Sequence, residues 1–335
     1  MNIELARASD RQELIDFLLS VFKGNNPNHA PFDKIYPDLF LADDEVMGRH
    51  AVIREGGRIA ACVGTYPMLM QVGGCRIKTV GVGQVATAKA STGKGYMTAL
   101  LIHELDRCRR EGCVLGWLGG RRDRYSRFGF DIGSLSYDFH CDAHSLRGVV
   151  LSRVITHVDA LAEDAITDAM FALRDKTVNS VIEPPDTFRM QMGRLGFKFE
   201  IWSATPSGGA EPDAWAVVDM ANKRIEEWCG SLQGRLEILR AVGEALGTVN
   251  KMETWIDAQA CKALRSLCTY LAPSGRMLAV LDKDGLLDAA RPLLPPDFKM
   301  PADDLSPCEL VQALFGPDPG SSACLPFAIP GIFHV

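Results

Sequence analysis

The sequence predicts a mixed α/β protein built from two consecutive units with a similar order of elements. Paired glycines separate apolar runs in the first third of the chain, which is typical of β-hairpins. An amphipathic segment at helical spacing follows these runs. A similar succession of strands and helices returns after about residue 160, and 335 residues are enough for two such units.

The first unit, residues 1–159, is predicted to run β-α-α-β-β-β-α-β-α-β. It begins with a strand over residues 2–7, and a helix then carries apolar residues from Leu14 to Phe22. A loop with a short helix spans Gly24–Asp44. The remaining predicted strands are Ala51–Arg54, Ile59–Val72, Ile77–Thr87, Val114–Leu118 and Phe130–Cys141. The remaining predicted helices run from about Gly95 to Arg110 and over Arg122–Phe128.

The second unit, residues 160–294, is predicted to be a degraded copy of the first. Its predicted helices are Ala162–Arg174, Asp186–Leu195, Arg235–Leu246 and Ala258–Leu267. Its predicted strands are Phe197–Ser203, Ala214–Met220, Arg224–Cys229 and Lys251–Ile256. The tail, residues 295–335, is rich in proline and glycine and contains one short predicted helix, Pro307–Phe315.

The composition excludes several classes of protein. Hydrophobic residues make up 47% and charged residues 23%, which is enough apolar material for a globular core. A net charge of -6 with no basic stripe argues against nucleic-acid binding. Ten cysteines without a C-x-x-C pair indicate neither a zinc site nor a disulfide framework. No signal peptide or membrane-spanning run is visible, so a cytoplasmic protein is expected.

A phosphate-binding turn is indicated where a predicted strand runs into the amphipathic helix. The segment Gly93-Lys94-Gly95 would expose unpaired main-chain N–H groups at the positive end of the helix dipole, beside a lysine charge. It matches neither the Walker A loop nor the dinucleotide-binding glycine motif. The glycines alone could equally serve only to relieve strain in a tight turn. Upstream, Gly81 and Gly83 predict a bulge or a close approach within the strand.

A second motif, Arg121-Arg-Asp-Arg-Tyr125-Ser-Arg-Phe-Gly129-Phe130, follows the strand that ends at Leu118. Tyr125 could act as a proton donor, or it could be a core aromatic of the short helix. Arg121 and Arg122 could contact phosphates, or they could form a solvated charged face.

The order of the two motifs resembles the GNAT superfamily of N-acetyltransferases. In that family Arg/Gln-x-x-Gly-x-Gly/Ala binds the pyrophosphate of acetyl-CoA. Thr92, Gly95 and Met97 occupy the three defined positions here; Gly95 matches, and Thr92 and Met97 depart. The resemblance implies a cofactor site made by Val85, Ala86, Thr87, Thr92, Gly93, Lys94, Gly95, Tyr96, Met97, Thr98, Arg121 and Arg122.

The second motif resembles the GNAT signature Tyr-x-x-x-Gly-Phe, which implies that Tyr125 protonates the departing CoA thiolate. A phenol of pKa about 10 can do this for a thiol of pKa about 8.5, especially if the site lowers the phenol pKa. The residues of both motifs resemble the corresponding motifs of the Eis-like acetyltransferases and their shorter bacterial relatives. That resemblance implies a tail that packs back toward the active site, with the Val335 carboxylate as a base.

The resemblance implies a catalytic GNAT domain followed by a degenerate GNAT-like domain. It also implies that the activity is acetyl transfer to an amine by direct attack. The acceptor would be a small molecule or peptide. No metal, nucleic acid or membrane is expected, and a homo-oligomer is possible. The second unit is expected to bind no CoA and to form a wall of the acceptor pocket or an oligomer contact. The alternatives are an inactive CoA- or effector-binding module and a structural protein.

Overall fold

The structure, a computed structural model, describes residues 1–24, 26–158, 164–177, 179–254, 257–294, 296, 298–316, 325 and 327. Its thirteen strands are β1 Glu4–Leu5, β2 His50–Glu55, β3 Arg58–Val72, β4 Cys75–Thr87, β5 Leu115–Leu118, β6 Asp131–Asp142, β7 Arg153–His157, β8 Asn179–Ile182, β9 Glu200–Pro206, β10 Ala214–Asp219, β11 Arg224–Gly230, β12 Thr248–Thr254 and β13 Tyr270–Val280. Its helices are α1 Arg11–Lys23, α2 Phe32–Ile35, α3 Asp44–Met47, α4 Tyr96–Arg110, α5 Arg122–Tyr125, α6 Asp164–Asp175, α7 Pro185–Lys198, α8 Leu232–Leu246, α9 Ala258–Leu267, α10 Lys283–Ala289 and α11 Pro307–Phe315.

All thirteen strands belong to one sheet. Twelve follow the order β1-β2-β3-β4-β5-β13-β6-β12-β11-β10-β9-β7, and β8 pairs with the far end of β3. Two parallel pairs, β4 with β5 and β11 with β12, stand on either side of the central strands β13 and β6. In each pair a fifteen-residue helix, α4 or α8, connects the two parallel strands, as a parallel connection requires.

The second unit therefore repeats the plan of the first. In both, an antiparallel meander leads through a helix to a parallel strand: β2-β3-β4-α4-β5 and β9-β10-β11-α8-β12. This repeat confirms the predicted mixed α/β fold of two units with a similar order of elements.

The two units exchange strands at the centre of the sheet. The antiparallel neighbour of β5 is β13, which comes from the end of the second unit. The antiparallel neighbour of β12 is β6, which comes from the end of the first unit. Since β13 also pairs with β6 along most of its length, the centre of the sheet belongs to both units.

Helices cover both faces of the first unit's sheet. Side chains alternate along β3, so Ala61 and Val63 face the cluster under α4, whereas Cys62 faces the cluster under α1. The largest apolar cluster joins the units, because it contains Trp117 of β5 together with Trp215 of β10.

Most predicted elements are present within a few residues, and α9 and α11 have the predicted limits. The prediction was wrong for the start of one strand, since α7 continues to Lys198 and β9 begins at Glu200. Strands β7, β8 and β13 and helix α10 were not predicted. These elements take their stability from partners distant in the sequence rather than from local periodicity.

A buried carboxylate fastens the start of β7 to α8. Glu237 is fully buried and accepts hydrogen bonds from the main-chain N–H groups of Ser152 and Arg153, both at 2.8 Å. It also pairs with the Arg153 guanidinium at 2.9 Å. Burial by itself raises the pKa of Glu237, but hydrogen bonds from Ser152 and Gln233 prevail and lower it to about 2 from 4.5.

We expect Glu237→Gln to lower the free energy of unfolding at pH 7 by about 3 kcal/mol. An acid with a depressed pKa stabilises the fold above its unfolded pKa, so this contribution should fade as the pH falls from about 4.5 toward 2. Denaturant unfolding at several pH values measures both effects. The control is Glu244→Gln on the same helix, whose partly exposed pair with Arg240 should contribute less than about 0.5 kcal/mol. Equal losses in the two variants would contradict the assignment.

Candidate active site

A cleft opens where β4 and β5 separate. Their parallel pairing covers only Thr79–Gly81 and Leu115–Trp117. Beyond this point β4 keeps β3 as a partner on one side, with Ala86 opposite Cys62 and Thr87 opposite Ala61. On the other side no strand among the described residues pairs with residues 82–87. This edge contains Val85, Ala86 and Thr87, the segment predicted to offer main-chain groups to a ligand.

A β-bulge lies at the mouth of this cleft. The β3–β4 register shifts between Cys62 and Gly64, so that two residues of β4, Gln84 and Val85, stand opposite one residue of β3. Gln84 has a φ of 46°, a left-handed conformation that non-glycine residues seldom adopt. The bulge predicted from Gly81 and Gly83 is therefore present, one residue beyond Gly83.

The Gly93-Lys94-Gly95 turn opens α4. Both glycines have left-handed backbones, with φ of 84° and 80°, and Gly95 is the N-cap residue of the helix. A side chain at either glycine would meet no atom within 4 Å, so the main chain here borders open space. The glycines thus satisfy a backbone requirement and also leave room for a ligand at the helix N-terminus. Thr92 precedes them in extended conformation, and its hydroxyl donates weakly to Ala88 O at 3.4 Å.

A carboxylate from β2 already binds the polar side chains of this turn. Glu55 contacts Lys94 Nζ at 2.7 and 2.9 Å and accepts a hydrogen bond from Ser91 Oγ at 3.1 Å. The Tyr96 hydroxyl also donates to Glu55. The hydrogen bond from Lys94 is the main cause of a lowered pKa at Glu55, and the same contact raises the pKa of Lys94. An anionic ligand at the turn would have to share Lys94 with this carboxylate.

Tyr125 ends helix α5 and is buried, with 6% of its surface exposed. Its ring lies edge-on to Phe130, with centroids 6.4 Å apart, and packs against Gly120, where any side chain would clash with it. Burial is the main influence on the phenol and raises the pKa of Tyr125, while Arg124 opposes it. The site thus does not lower the phenol pKa, and the group stays protonated at neutral pH, as a proton donor must.

The two predicted arginines each have a carboxylate partner. Arg121 pairs with Asp123 at 2.7 Å on the surface. Arg122 forms two hydrogen bonds with the nearly buried Asp131, at 2.5 and 2.9 Å. The Arg122 pair fixes α5 to the start of β6, so a structural role accounts for Arg122 without a phosphate.

One apolar cluster brings the two motifs together. Tyr125 and Phe130 are among its buried members, and residues of the strand and the helix start pack against them. These partly buried neighbours include Val85, Tyr96, Met97 and Phe128. Arg127 Nη2 also lies 3.4 Å from Thr98 Oγ1 in the first turn of α4. The strand edge, the helix start and the tyrosine therefore belong to one apolar cluster.

The tail returns to this part of the molecule. Helix α11 packs against β6 and β13, and Gln312 Nε2 donates to Ile132 O at 2.6 Å. Cys308 Sγ lies 3.3 Å from Ser126 O in the turn after Tyr125. Val335, predicted as a base, lies outside the described residues.

The corresponding turn of the second unit is filled by protein. Gly230 precedes α8, and any side chain there would lie 2.1 Å from Asp213 O. The N-cap residue Ser231 accepts a hydrogen bond from Gly234 N at 3.0 Å, and Gly234 is in close contact with Ala214. The start of α8 thus packs against β10, whereas the start of α4 borders open space.

Two features of the site were missed by sequence reasoning. Glu55 could not be paired with Lys94, because nothing in the sequence places the end of β2 beside the turn. The network of His50, Tyr66 and Gln84 described below was missed for a similar reason, since its members lie on different strands. The only local signal was the pair of glycines near the bulge.

Among the described residues, no helix combines the length and the hydropathy needed to cross a membrane. The same residues contain no group of three or more His, Cys, Asp or Glu side chains arranged to hold a metal ion. The nine described cysteines have free thiols, and seven of them are buried.

The N-terminal part of the chain matches a known protein family model. Residues 2–133 match the family model described as "Acetyltransferase (GNAT) domain". The matched residues include the cleft, the Gly-Lys-Gly turn and Tyr125.

The fold of the whole chain is similar to that of several solved structures. A probable N-acyltransferase from Enterococcus faecalis V583 has a TM-score of 0.67 at 13% identity, over 86% of this chain and 74% of that chain. A GCN5-related N-acetyltransferase from Anabaena variabilis has a TM-score of 0.64 at 17% identity, over 86% and 74%. Eis1 from Mycobacterium abscessus has a TM-score of 0.61 at 17% identity, over 86% and 76%.

At these identities the likeness concerns the fold. The chain thus shares its fold with these three proteins over most of its length. No curated protein sequence is significantly similar to it.

Proposed function

We propose that this protein is an N-acetyltransferase that binds acetyl-CoA in the β4–β5 cleft and passes the acetyl group directly to an amine. The observation that carries the proposal is the open Gly93-Lys94-Gly95 turn at the start of α4, beside an unpaired strand edge. Main-chain N–H groups and the helix dipole at such a turn suit a diphosphate. The edge of β4 offers hydrogen bonds to an extended amide chain such as pantetheine.

The chemistry assigned to the residues follows from their positions. A neutral amine attacks the thioester carbonyl and forms a C–N bond, which gives a tetrahedral oxyanion. Main-chain donors at the cleft stabilise the oxyanion. As the oxyanion collapses the C–S bond breaks, and Tyr125, which its raised pKa keeps protonated and which packs in one cluster with the start of α4, gives its proton to the departing thiolate. The proton lost by the amine nitrogen returns through solvent to the Tyr125 phenolate. The acceptor is an amine of a small molecule or peptide, and no metal is required.

A second candidate is a module that binds CoA or an effector without transfer. The observation that favours it is the Glu55 carboxylate on Lys94 and Tyr96, together with Thr92 and Met97 at two motif positions. The experiment is transfer of labelled acetyl from acetyl-CoA to a panel of polyamines, amino sugars and peptides, with mass detection of each product. Acetylated product establishes the enzyme. Saturable CoA binding without product or hydrolysis would instead support the module.

Removing the carboxylate on Lys94 should tighten cofactor binding. We expect Glu55→Gln to lower the Kd for CoA about two- to fivefold, because Lys94 is then released to the ligand and a repelling charge is gone. Titration calorimetry at low and high salt measures the change, which should shrink as salt rises. Glu244→Gln, an exposed ion-pair carboxylate of the second unit, is the control and should leave Kd unchanged. Weaker binding in Glu55→Gln would show that the carboxylate organises the turn rather than competes for it.

A further inference from the structure

A buried chain of polar side chains connects three strands behind the bulge. The His50 ring is fully buried on β2, and its Nδ1 lies 3.2 Å from Met47 O. Its Nε2 lies 2.9 Å from the hydroxyl of Tyr66 on β3. The same hydroxyl contacts the side-chain amide of Gln84, the residue with the left-handed backbone.

The donor and the acceptor of each hydrogen bond in this network can be assigned. A carbonyl oxygen only accepts, so His50 Nδ1 carries a hydrogen toward Met47 O. Burial is the main cause that lowers the pKa of His50 to about 4, so the ring is neutral near pH 7 and Nε2 is an acceptor. Tyr66 must then donate to His50. Its oxygen is left to accept from the Gln84 amide, which a half-turn of that amide provides.

The hydrogen-bonded side chains of His50, Tyr66 and Gln84 are tightly packed. A side chain at Gly64 would lie 2.4 Å from the Tyr66 hydroxyl oxygen and 2.8 Å from the Gln84 amide oxygen. Phe40 packs on the other side of His50, with ring centroids 4.9 Å apart. Gln84 itself is only 4% exposed, so its amide depends on protein partners.

Gln84 is placed where its backbone conformation matters. It lies between Gly81, where β4 leaves β5, and Val85–Thr87, the edge that borders the cleft. Glycine would adopt this left-handed conformation without strain, whereas a glutamine needs a bond that holds it there. The hydroxyl of Tyr66, anchored by His50, is that bond.

We infer that Tyr66 is a positioning residue, which through Gln84 fixes the main chain of residues 85–87 in the direction needed for acetyl transfer. The inference rests on the proposed function for its effect on catalysis, but its effect on the bulge can be measured without any activity. Tyr66 is not assigned a contact with the substrate.

The test compares Tyr66→Phe in two backgrounds. In the parent, we expect Tyr66→Phe to lower kcat about tenfold per folded molecule, with KM for acetyl-CoA changed less than about threefold. In Gln84→Gly, the backbone needs no support, so Tyr66→Phe should then change kcat less than about twofold. A merely structural tyrosine would lower the melting temperature and leave kcat unchanged in both backgrounds. A loss of equal size in both backgrounds would overturn the inference.

Two further measurements keep the inference testable if Tyr66→Phe folds poorly or if no activity is found. Gln84→Gly should retain a kcat at least about fivefold higher than that of Gln84→Ala, because alanine at this φ is strained and glycine is not. Amide hydrogen exchange over residues 83–87 should be at least about tenfold faster in Tyr66→Phe than in the parent. Exchange that stays unchanged in folded Tyr66→Phe, or equal kcat for the Gly and Ala variants, overturns the inference. Faster exchange in a chain that binds no acetyl-CoA would instead overturn the proposed function alone.

Discussion

Gly95→Asp is expected to abolish acetyl-CoA binding while the protein still folds. Gly95 is the N-cap residue of α4, with a φ of 80° and open space around its Cα. Aspartate is among the residues that best tolerate a left-handed backbone, and a carboxylate at a helix N-terminus is favourable, so stability should fall by no more than about 1–2 kcal/mol. The new charge would stand where the diphosphate is proposed to bind. Calorimetric titration with acetyl-CoA measures the loss.

Gly95→Asn is the matched control for this prediction. Asparagine has the same shape and the same tolerance of the left-handed backbone, but it carries no charge. We expect it to weaken binding by the steric part of the effect only, so that its Kd is at least about tenfold lower than that of the aspartate variant. Retention of parent-like affinity in Gly95→Asp would show that the diphosphate binds elsewhere.

Tyr125→Phe is expected to lower kcat about 10²–10⁴-fold, the usual contribution of a general acid. The phenol meets the sulfur mainly as charge develops there, so KM for acetyl-CoA should change little. The ring contacts with Phe130 and Gly120 remain in the variant, and the melting temperature should stay close to that of the parent. Steady-state kinetics and thermal unfolding on one preparation measure both quantities.

The pH dependence gives a second check on Tyr125. Because burial raises the pKa of Tyr125 above 10, its deprotonation should not limit the parent between pH 7 and 9. The ratio of parent to variant kcat should therefore be constant over this interval. The control is Tyr137→Phe, at a partly buried tyrosine of β6 that packs in a different apolar cluster, and it should keep near-parent kcat. Turnover in Tyr125→Phe within a few-fold of the parent would leave the acid unassigned.

Local pattern was sufficient to predict the elements that build the cleft. The glycine pairs before Arg58 and Cys75 have left-handed backbones at Gly56, Gly57, Gly73 and Gly74, as hairpin turns of this kind require. The apolar stripe of α4 and the glycines at its start could also be predicted from the sequence, because each depends on neighbours along the chain.

Pairing between distant segments could not be predicted in the same way. Strand β13 is bounded by α9 and α10, and only its partners β5 and β6 explain why it is a strand at the centre of the sheet. Its side chains face two units at once, so no simple alternation marks it. The division of the chain at residues 159 and 294 stays a prediction, since the central strands connect the two units.

The residues of the candidate site also fall into those that local motifs predict and those that only strand pairing brings together. Gly93, Gly95 and Tyr125 stand in local motifs and could be named from the sequence. Glu55 contacts Lys94 and Tyr66 contacts His50 from neighbouring strands, and the register that brings these side chains together is a property of the folded sheet.

Titration calorimetry of the full chain with acetyl-CoA measures binding at the proposed cofactor site and needs no acceptor. We expect saturable binding of one acetyl-CoA per chain, lost in Gly95→Asp and kept in Tyr125→Phe. We expect no second molecule to bind, because protein atoms fill the turn before α8. Absence of binding at millimolar acetyl-CoA, or two molecules bound per chain, would contradict these expectations.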